Sequence, residues 1–375
     1  MGEAAVWRVG PGKAFRVPSA AAAAARDGDV VEIDAGLYPD DVATWVQNDL
    51  LIRAVGGRAH LRANGALAED KGIWVIKGRN VTVEGAEFSG ARSARRNGSG
   101  ILGEGVGLSL RRCRFHDNDA GLLAGGGPDS AIVVEHSEFS ANGHGDGQSH
   151  NIYIVSAAHF VLRASYSHHT RIGHNVKSRA RRTDILYNRL MDEADGTSSY
   201  AVDLPDGGLA TLVGNLIQKG QRAENRTLVA YGAEGLRHPA SELYVVNNTM
   251  VNDRDTDLGW LGRWRPTVFV RVWGRPTRVA IVNNLLVGPG RVVHGAGEVH
   301  HNLQTDEPGL VDRATFDYRL AARSPAIDAG IDPGEAHGVP LTPVAQYVHP
   351  AGTERRAIRH RIDLGAYAAP APPPQ

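Results

Sequence analysis

The sequence is short of cysteine, lysine, aromatic residues and long apolar runs, and each shortage closes off a class of protein. A single cysteine, Cys113, among 375 residues excludes an internal disulfide framework. No apolar run approaches the ~20 residues that a membrane-spanning helix needs. Mean hydropathy is −0.27, and no membrane partner is expected. Formal net charge is zero, with 41 basic and 41 acidic residues, so bulk electrostatics point neither to nucleic acid nor to an anionic surface. Aromatics make up 6% and glycines number 45, a balance that disfavours a helical bundle. Met1 to Val9 has no basic stretch followed by an apolar one. As written the chain reads as cytoplasmic, or as secreted or periplasmic if a leader has been removed.

The shortage of lysine matters most. Only five of the 41 basic residues are lysine: Lys13, Lys71, Lys77, Lys177 and Lys219. Positive charge is otherwise written as arginine, which stays protonated, whereas lysine can lose its proton when desolvated or crowded by cations. Lys177 is therefore an exception among Arg171, Arg179, Arg181 and Arg182. Seven of the 16 histidines crowd the same region: His136, His144, His150, His159, His168, His169 and His174. Taken alone, these features suit a basic, solvated face equally well.

What is abundant is repetition. Val81 to Phe88 aligns with Leu108 to Phe115 and Ile132 to Phe139, and with segments starting at Phe160, Thr183, Ala210, Leu243 and Val279. The starts are 27, 24, 28, 23, 27, 33 and 36 residues apart. The sixth position is small or an amide throughout: Ala86, Cys113, Ser137, Ser165, Asn188, Asn215, Asn248, Asn284. A loose period in the twenties with strand-like segments marks a solenoid. The expected fold is all-β: a right-handed parallel β-helix of roughly eleven coils, ~4.8 Å apart and ~50 Å long. Its sixth-position column is expected to point inward, the amides hydrogen-bonding along the stack.

Stacked coils bury their interiors against one another, so residues 1–367 are expected to form one domain and to act as a monomer. Residues 1–38 read as an N-terminal cap: strand Val6 to Val9, then Ser19 capping an alanine-rich helix over Ala20 to Ala25. A turn at Arg26 to Asp29 leads to strand Val30 to Ile33 and a turn at Gly36 to Tyr38. Residues 300–367 are expected to close the last coil as a lid. Ala368 to Gln375 reads as a disordered Pro/Ala tail.

Each coil carries a second strand. In order these are His150-Asn151-Ile152-Tyr153-Ile154, His174-Asn175-Val176-Lys177-Ser178, Tyr200-Ala201-Val202-Asp203-Leu204, Thr227 to Tyr231 and Val268 to Val272. With Ile152, Val176 and Val202 inward, alternation places Tyr153, Lys177 and Asp203 outward on adjacent coils, about 5 Å apart. The same alternation turns Asn151 and Asn175 outward, sets Arg271 further along the sheet, and adds Tyr231 if the intervening coil keeps register. The expected site is a shallow groove walled by His144 to Ser149 and Asp192 to Ser199. An ordinary solvated face is the alternative, and the repeated His-Asn pair argues against it.

The run Asn175-Val176-Lys177-Ser178, with Tyr187-Asn188 one coil on and Gly214-Asn215 after it, resembles the chondroitinase-B-like and alginate lyases. These are polysaccharide lyases on the pectate-lyase-type β-helix. The alanine-rich helix followed by Gly28-Asp29-Val30-Val31 and Gly36-Leu37-Tyr38 is similar too. So are the closing Ser324-Pro325-Ala326-Ile327-Asp328 and Asp363-Leu364-Gly365. The resemblance implies an acidic polysaccharide or oligosaccharide as partner and Lys177 as Brønsted base, helped by an arginine about a coil later. Two features depart from it. Asp203 to Gly208 holds no arginine, and the implied calcium carboxylates upstream of the lysine are replaced, between Tyr166 and Ile172, by His168 and His169. No cofactor is therefore expected, with calcium the one kept open by the resemblance.

β-Elimination removes the C5 proton of a uronate. It needs a base, a group that neutralises the carboxylate, and a proton donor for the leaving oxygen. Lys177 is the candidate base, with Arg179 and Arg181 favouring its neutral form. Asn151, Asn175, His174 or Arg271 is expected to neutralise the uronate, and Tyr153, Tyr200 or Tyr231 to donate the proton. Asp203 orients Lys177 or a sugar hydroxyl, and His150 and Glu234 complete the substrate-binding set. A glycoside hydrolase is the first alternative, with Asp203 and Asp206 or Glu234 as acid/base pair. Gly143-His144-Gly145 matches the Gly-His-Gly of β-helix polygalacturonases but lacks their upstream aspartate pairs. A non-catalytic solenoid that binds glycan or supports an assembly also stays open. A metal site among His150, His168, His169 and His174 has no fixed ligand spacing behind it.

Overall fold

The computed structural model describes residues 4–254 and 266–370. Successive coils pair in parallel, two strands of each coil entering a 21-stranded sheet and a third entering a ten-stranded sheet. Val81, Leu108, Ile132, Phe160, Thr183, Ala210, Leu243 and Val279 pair as one unbroken row, the register expected from the repeat.

One corner of the coil explains the amide column. The residue before it turns the chain in a left-handed conformation: Arg112, His136, Ala164, Tyr187, Asn247, Asn283 and His301 have φ between 50° and 58°. That conformation costs a residue with a Cβ about 1 kcal/mol, so the turn needs support from its neighbours. The following residue supplies it. Asn188 Nδ2 donates to Asn215 Oδ1 at 3.0 Å and to the Leu162 carbonyl at 2.8 Å, and the Asn188 backbone N–H donates to the same Oδ1 at 2.9 Å. The pattern repeats at Asn215, Asn248 and Asn284 and runs one coil further than expected, ending on Asn302. All eight expected members of the column are buried.

Inside, Phe88, Phe115 and Phe139 stack with ring centroids 5.1 and 4.7 Å apart. Val176, Val202, Val229 and Val270 line the inner side of the smaller sheet. Truncating a phenylalanine packed this way costs about 3–5 kcal/mol.

The ends differ in detail from expectation. Helix Pro18–Ala24 starts from Val17, without a side-chain cap. Pro18 takes its first turn, where a missing N–H is harmless. Ser19 instead bonds the Asp41 carboxylate through its N–H and hydroxyl, at 3.0 and 2.5 Å. Ala21, Ala22 and Ala25 pack into the main core. Val30–Pro39 is one strand, irregular between Asp34 and Gly36, rather than strand then turn.

The coils stop after strand Leu303–Thr305. The segment expected to close the last coil instead runs back along the flank of the larger sheet. Tyr318, Leu320, Tyr347 and Leu364 cover Met191, Leu216, Val251 and Leu285 there. The cause lies in the coils: their outward residues on this flank are apolar and need cover. The amides of Asn247 and Asn283 tie the segment down, donating to Asp363 O at 2.8 Å and Ile331 O at 2.7 Å. Of the expected tail, Ala368 and Ala369 are bonded to Gln346 and Asp363, and residues 371–375 lie outside the described residues. Among the described residues, no helix is long and apolar enough to cross a membrane.

Candidate active site

Register on the smaller sheet fixes one outward row: Thr44, Val75, Leu102, Leu123, Tyr153, Lys177, Asp203, Ala230, Arg271, His294. It is apolar from Val75 through Leu123 and then changes character at Tyr153. Lys177 Nζ lies 3.4 Å from Asp203 Oδ2 and 3.4 Å from Glu234 Oε1, and 5.4 Å from the centre of the Tyr153 ring. Its side chain is only 12% exposed although it stands on an open face.

Arg179, two residues on, points the same way and ties the cluster together. Its Nε donates to Tyr153 Oη at 2.9 Å and its Nη1 to Asp206 at 2.7 Å. Its Nη2 reaches both oxygens of Glu234, at 2.8 and 2.7 Å. Glu234 arrives on a loop beyond strand Thr227–Tyr231. The backbone N–H groups of Gly232, Glu234 and Arg237 donate to Leu204 O, Pro205 O and Asp206 O on the preceding coil, at 2.8, 3.0 and 2.9 Å. Gly232 is at φ +76°, and a Cβ there would stand 2.9 Å from Trp273 O. Only glycine fits that bend.

Beneath Tyr153, the rings of His150 and His174 stack at 4.6 Å and Tyr200 stacks on His174 at 5.0 Å. The backbone fixes both tautomers. His150 Nδ1 accepts from His174 N–H at 3.0 Å, and His174 Nδ1 accepts from Tyr200 N–H at 3.1 Å. Each ring thus carries its proton on Nε2, and that of His174 faces Asp203 Oδ2 at 3.4 Å. Burial, then the Lys177 and Arg179 charges, pushes His150 down to about 3. Burial, His150, Lys177 and Lys219 take His174 well below the usual histidine range. Asp203 moves the other way: burial lifts it to about 6 against the pull of Lys177. Glu234 is held below the usual carboxylate range, chiefly by its hydrogen bonds from Arg179.

Tyr153, Lys177, Asp203, Arg179, Glu234, Asp206 and His174 are therefore brought together, with His150 and Tyr200 as their backing. Other expected members are not. Asn151 and Asn175 are fully buried and form a second internal ladder with Asn118 and Asn142. They precede the strands, at a corner where the two-residue alternation does not yet apply. Tyr231 pairs with Leu204 and points inward, its hydroxyl donating to Gly208 O at 2.5 Å; Ala230 takes its place in the row. Arg181 turns away to the Pro128 carbonyl at 2.8 Å. With Arg179 held by carboxylates and Arg181 turned away, neither crowds Lys177 as a free cation. Arg271 keeps the row but stands three strand spacings from Lys177, about 14 Å, with its guanidinium over Trp273 at 4.7 Å.

The loop that reaches Lys177 is the one carrying Glu234. Among the described residues, no hydrogen bond or ion pair joins His144 to Ser149 or Asp192 to Ser199 to that amine. His168 and His169 lie on the other sheet, facing Glu138 and Asp195. The calcium implied by the resemblance does not fit the residues present. A calcium cage needs several oxygens free to face the ion; Asp206 and Glu234 are engaged by Arg179 and Asp203 Oδ2 by Lys177, and the buried, unpartnered Asp203 Oδ1 alone does not make a cage. One support went unread in the sequence. Fully buried Lys219 donates to Ser198 O at 3.1 Å and pairs with buried Asp192 at 3.6 Å, pinning the loop before Tyr200.

No protein-family model matches the chain, and no curated protein matches its sequence. Among solved structures it is similar to the crystal structure of pectate lyase Pel9A, with a TM-score of 0.63 and 14% identity over 99% of this chain and 98% of that one. Pectin methylesterase PemA from Erwinia chrysanthemi is a more distant likeness, with a TM-score of 0.41 and 13% identity over 59% of this chain and 81% of that one. At such identities the likeness is one of fold, and the fold is the right-handed parallel β-helix of the pectate-lyase type.

Proposed function

We propose that this chain is a polysaccharide-active enzyme that takes an acidic, uronate-containing polymer along the outward row and cleaves it by β-elimination, with Lys177 as base. The supporting observation is the setting of Lys177: a largely hidden amine on an open sheet, between a deeply buried aspartate and a carboxylate on a loop. Glu234 is the exposed member of the cluster, its side chain 41% accessible. In this reading it holds the Arg179 fork until a uronate carboxylate takes its place there, neutralised by the guanidinium. Lys177 then accepts the C5 proton, the C–H electrons form the C4–C5 double bond, and the C4–O bond breaks. The leaving oxygen takes the Tyr153 phenolic proton. Asp203, fixed by the His174 Nε2–H, aims the amine. Arg271 and Arg291 line a hollow of about 490 Å³ further along the row, suited to another acidic sugar.

A second reading has its own observation. Asp203, lifted to about 6, and Glu234, held ionised, have the divergent ionisation of an acid/base pair for hydrolysis. Incubation with a panel of acidic polysaccharides separates the two. Elimination produces new ends together with the ultraviolet absorbance of an unsaturated uronate. Hydrolysis produces reducing ends without it. New ends and no absorbance on every cleaved substrate would overturn the elimination reading.

A further inference from the structure

We propose that His60, Glu87 and His116 bind a divalent transition-metal ion of the zinc class, on the flank of the larger sheet that the C-terminal segment leaves bare. The register brings them together: His60 pairs with Glu87 on the next coil, and His116, one coil further, pairs with Ser89 two residues along. Glu87 Oε1 is 2.9 Å from His116 Nε2 and 4.0 Å from His60 Nε2, and the three atoms lie within 4.8 Å of one another. A tetrahedral zinc ion with bonds of about 2.0–2.1 Å holds its ligands about 3.4 Å apart. The two separations differ from that spacing by about 0.5 and 0.6 Å, and the third closes by at most about 1.4 Å, within reach of side-chain rotation.

Two further contacts suit a metal centre. His116 Nδ1 lies 2.9 Å from Asp117 Oδ2, and Asp117 accepts from Arg171 at 2.6 Å. A carboxylate behind a ligating imidazole fixes the ring and leaves Nε2 free for the ion. Ser89 Oγ is 2.8 Å from His60 Nε2, a hydrogen bond that the imidazole exchanges for the ion on binding. Two imidazoles and one carboxylate suit zinc, nickel or copper, not calcium or magnesium. Arg114, 3.7 Å from Glu87, is the competing cation, and it keeps a second partner in Glu138 at 3.4 Å when an ion enters.

The site joins three successive coils, and among the described residues the apolar clusters formed by the C-terminal segment do not extend to it. Toward this end, the C-terminal segment's contacts are Ala351 O on His136 at 3.0 Å and the His349 ring beside Tyr166 at 5.2 Å. A bound ion would cross-link coils that lack that strap, and the inference stands apart from the reading of Lys177.

The test uses the full chain without a histidine tag, stripped with chelator and titrated calorimetrically with zinc chloride. One equivalent should bind and raise Tm. That equivalent should vanish in His60→Ala and in His116→Ala, with circular dichroism confirming the fold, and should persist in a His168→Ala/His169→Ala variant. Asp117→Asn should weaken it about 10–100-fold. No stoichiometric binding, binding unchanged in His60→Ala and His116→Ala, or equal affinity for calcium would each overturn the proposal.

Discussion

Two columns run along this β-helix with one residue per coil, and they are built on opposite terms. The inner one repeats itself: Asn188, Asn215, Asn248, Asn284 and Asn302 each bond the next. The outer one, from Tyr153 on, does not repeat: Tyr153, Lys177, Asp203, Ala230, Arg271 and His294. An amide is donor and acceptor at once, so a column of amides satisfies itself together with the turn backbone it supports. A lysine above an aspartate leaves valences that only a loop, a substrate or water can fill. Repetition along the stack thus marks structure, and its loss marks the candidate chemistry.

The contrast can be broken at either column. Lys177 itself apart, the largest effect is expected at Asp203→Asn, which keeps shape but removes the charge that aims Lys177. Turnover should fall by about 10²–10⁴-fold, measured as initial rate on the best polysaccharide. The same change should stabilise the fold above pH 6. The folded-state value of Asp203 is raised from 3.8 to about 6, so the folded state binds that proton more tightly than the unfolded one. Ionised Asp203 therefore opposes folding, by an amount that is absent below about pH 4, grows between 4 and 6, and is full above 6. Denaturant titrations should show Asp203→Asn gaining roughly 1–3 kcal/mol on wild type across that window. A variant less stable than wild type at pH 7.5 would place Asp203 with the structural residues.

The inner column should answer in the opposite way. Asn215→Ala strands the Ile185 carbonyl and the neighbouring amide in a buried corner, and about 1–3 kcal/mol of unfolding free energy should be lost. Turnover per folded molecule should not change. A loss of turnover without loss of stability would erase the distinction between the columns. The smallest effect is expected at Glu234→Gln. If Glu234 only holds Arg179 until a uronate arrives, KM should drop a few-fold with kcat nearly kept, a gain below about 1 kcal/mol. Loss of kcat would instead make Glu234 a participant, as in the hydrolytic reading.

The repeat, the inward column and the outward Tyr153, Lys177 and Asp203 were legible because strand alternation is local and the period is long enough to check itself. Corners were not. Asn151 and Asn175 sit where the chain bends, and there alternation gives the wrong face. The Arg179–Glu234 contact spans 55 residues, and nothing local encodes it. Its only trace in the sequence is the wider spacing of 33 residues between the repeats at Ala210 and Leu243, which marks the inserted loop. The flank cover was misread as a lid for a similar reason. Outward apolar residues such as Leu216 and Val251 show that cover is needed, but not which segment provides it.

The central claim is that Lys177 accepts a proton, and Lys177→Arg tests it most directly. Arginine keeps the charge beside Asp203 and Glu234 but does not deprotonate near neutral pH. Purified wild type and Lys177→Arg are compared for formation of unsaturated uronate and, in parallel, for glycan binding. The account predicts that the variant binds the polymer with similar affinity and forms almost no unsaturated product at any pH at which wild type is active. Near-normal turnover in Lys177→Arg would contradict it.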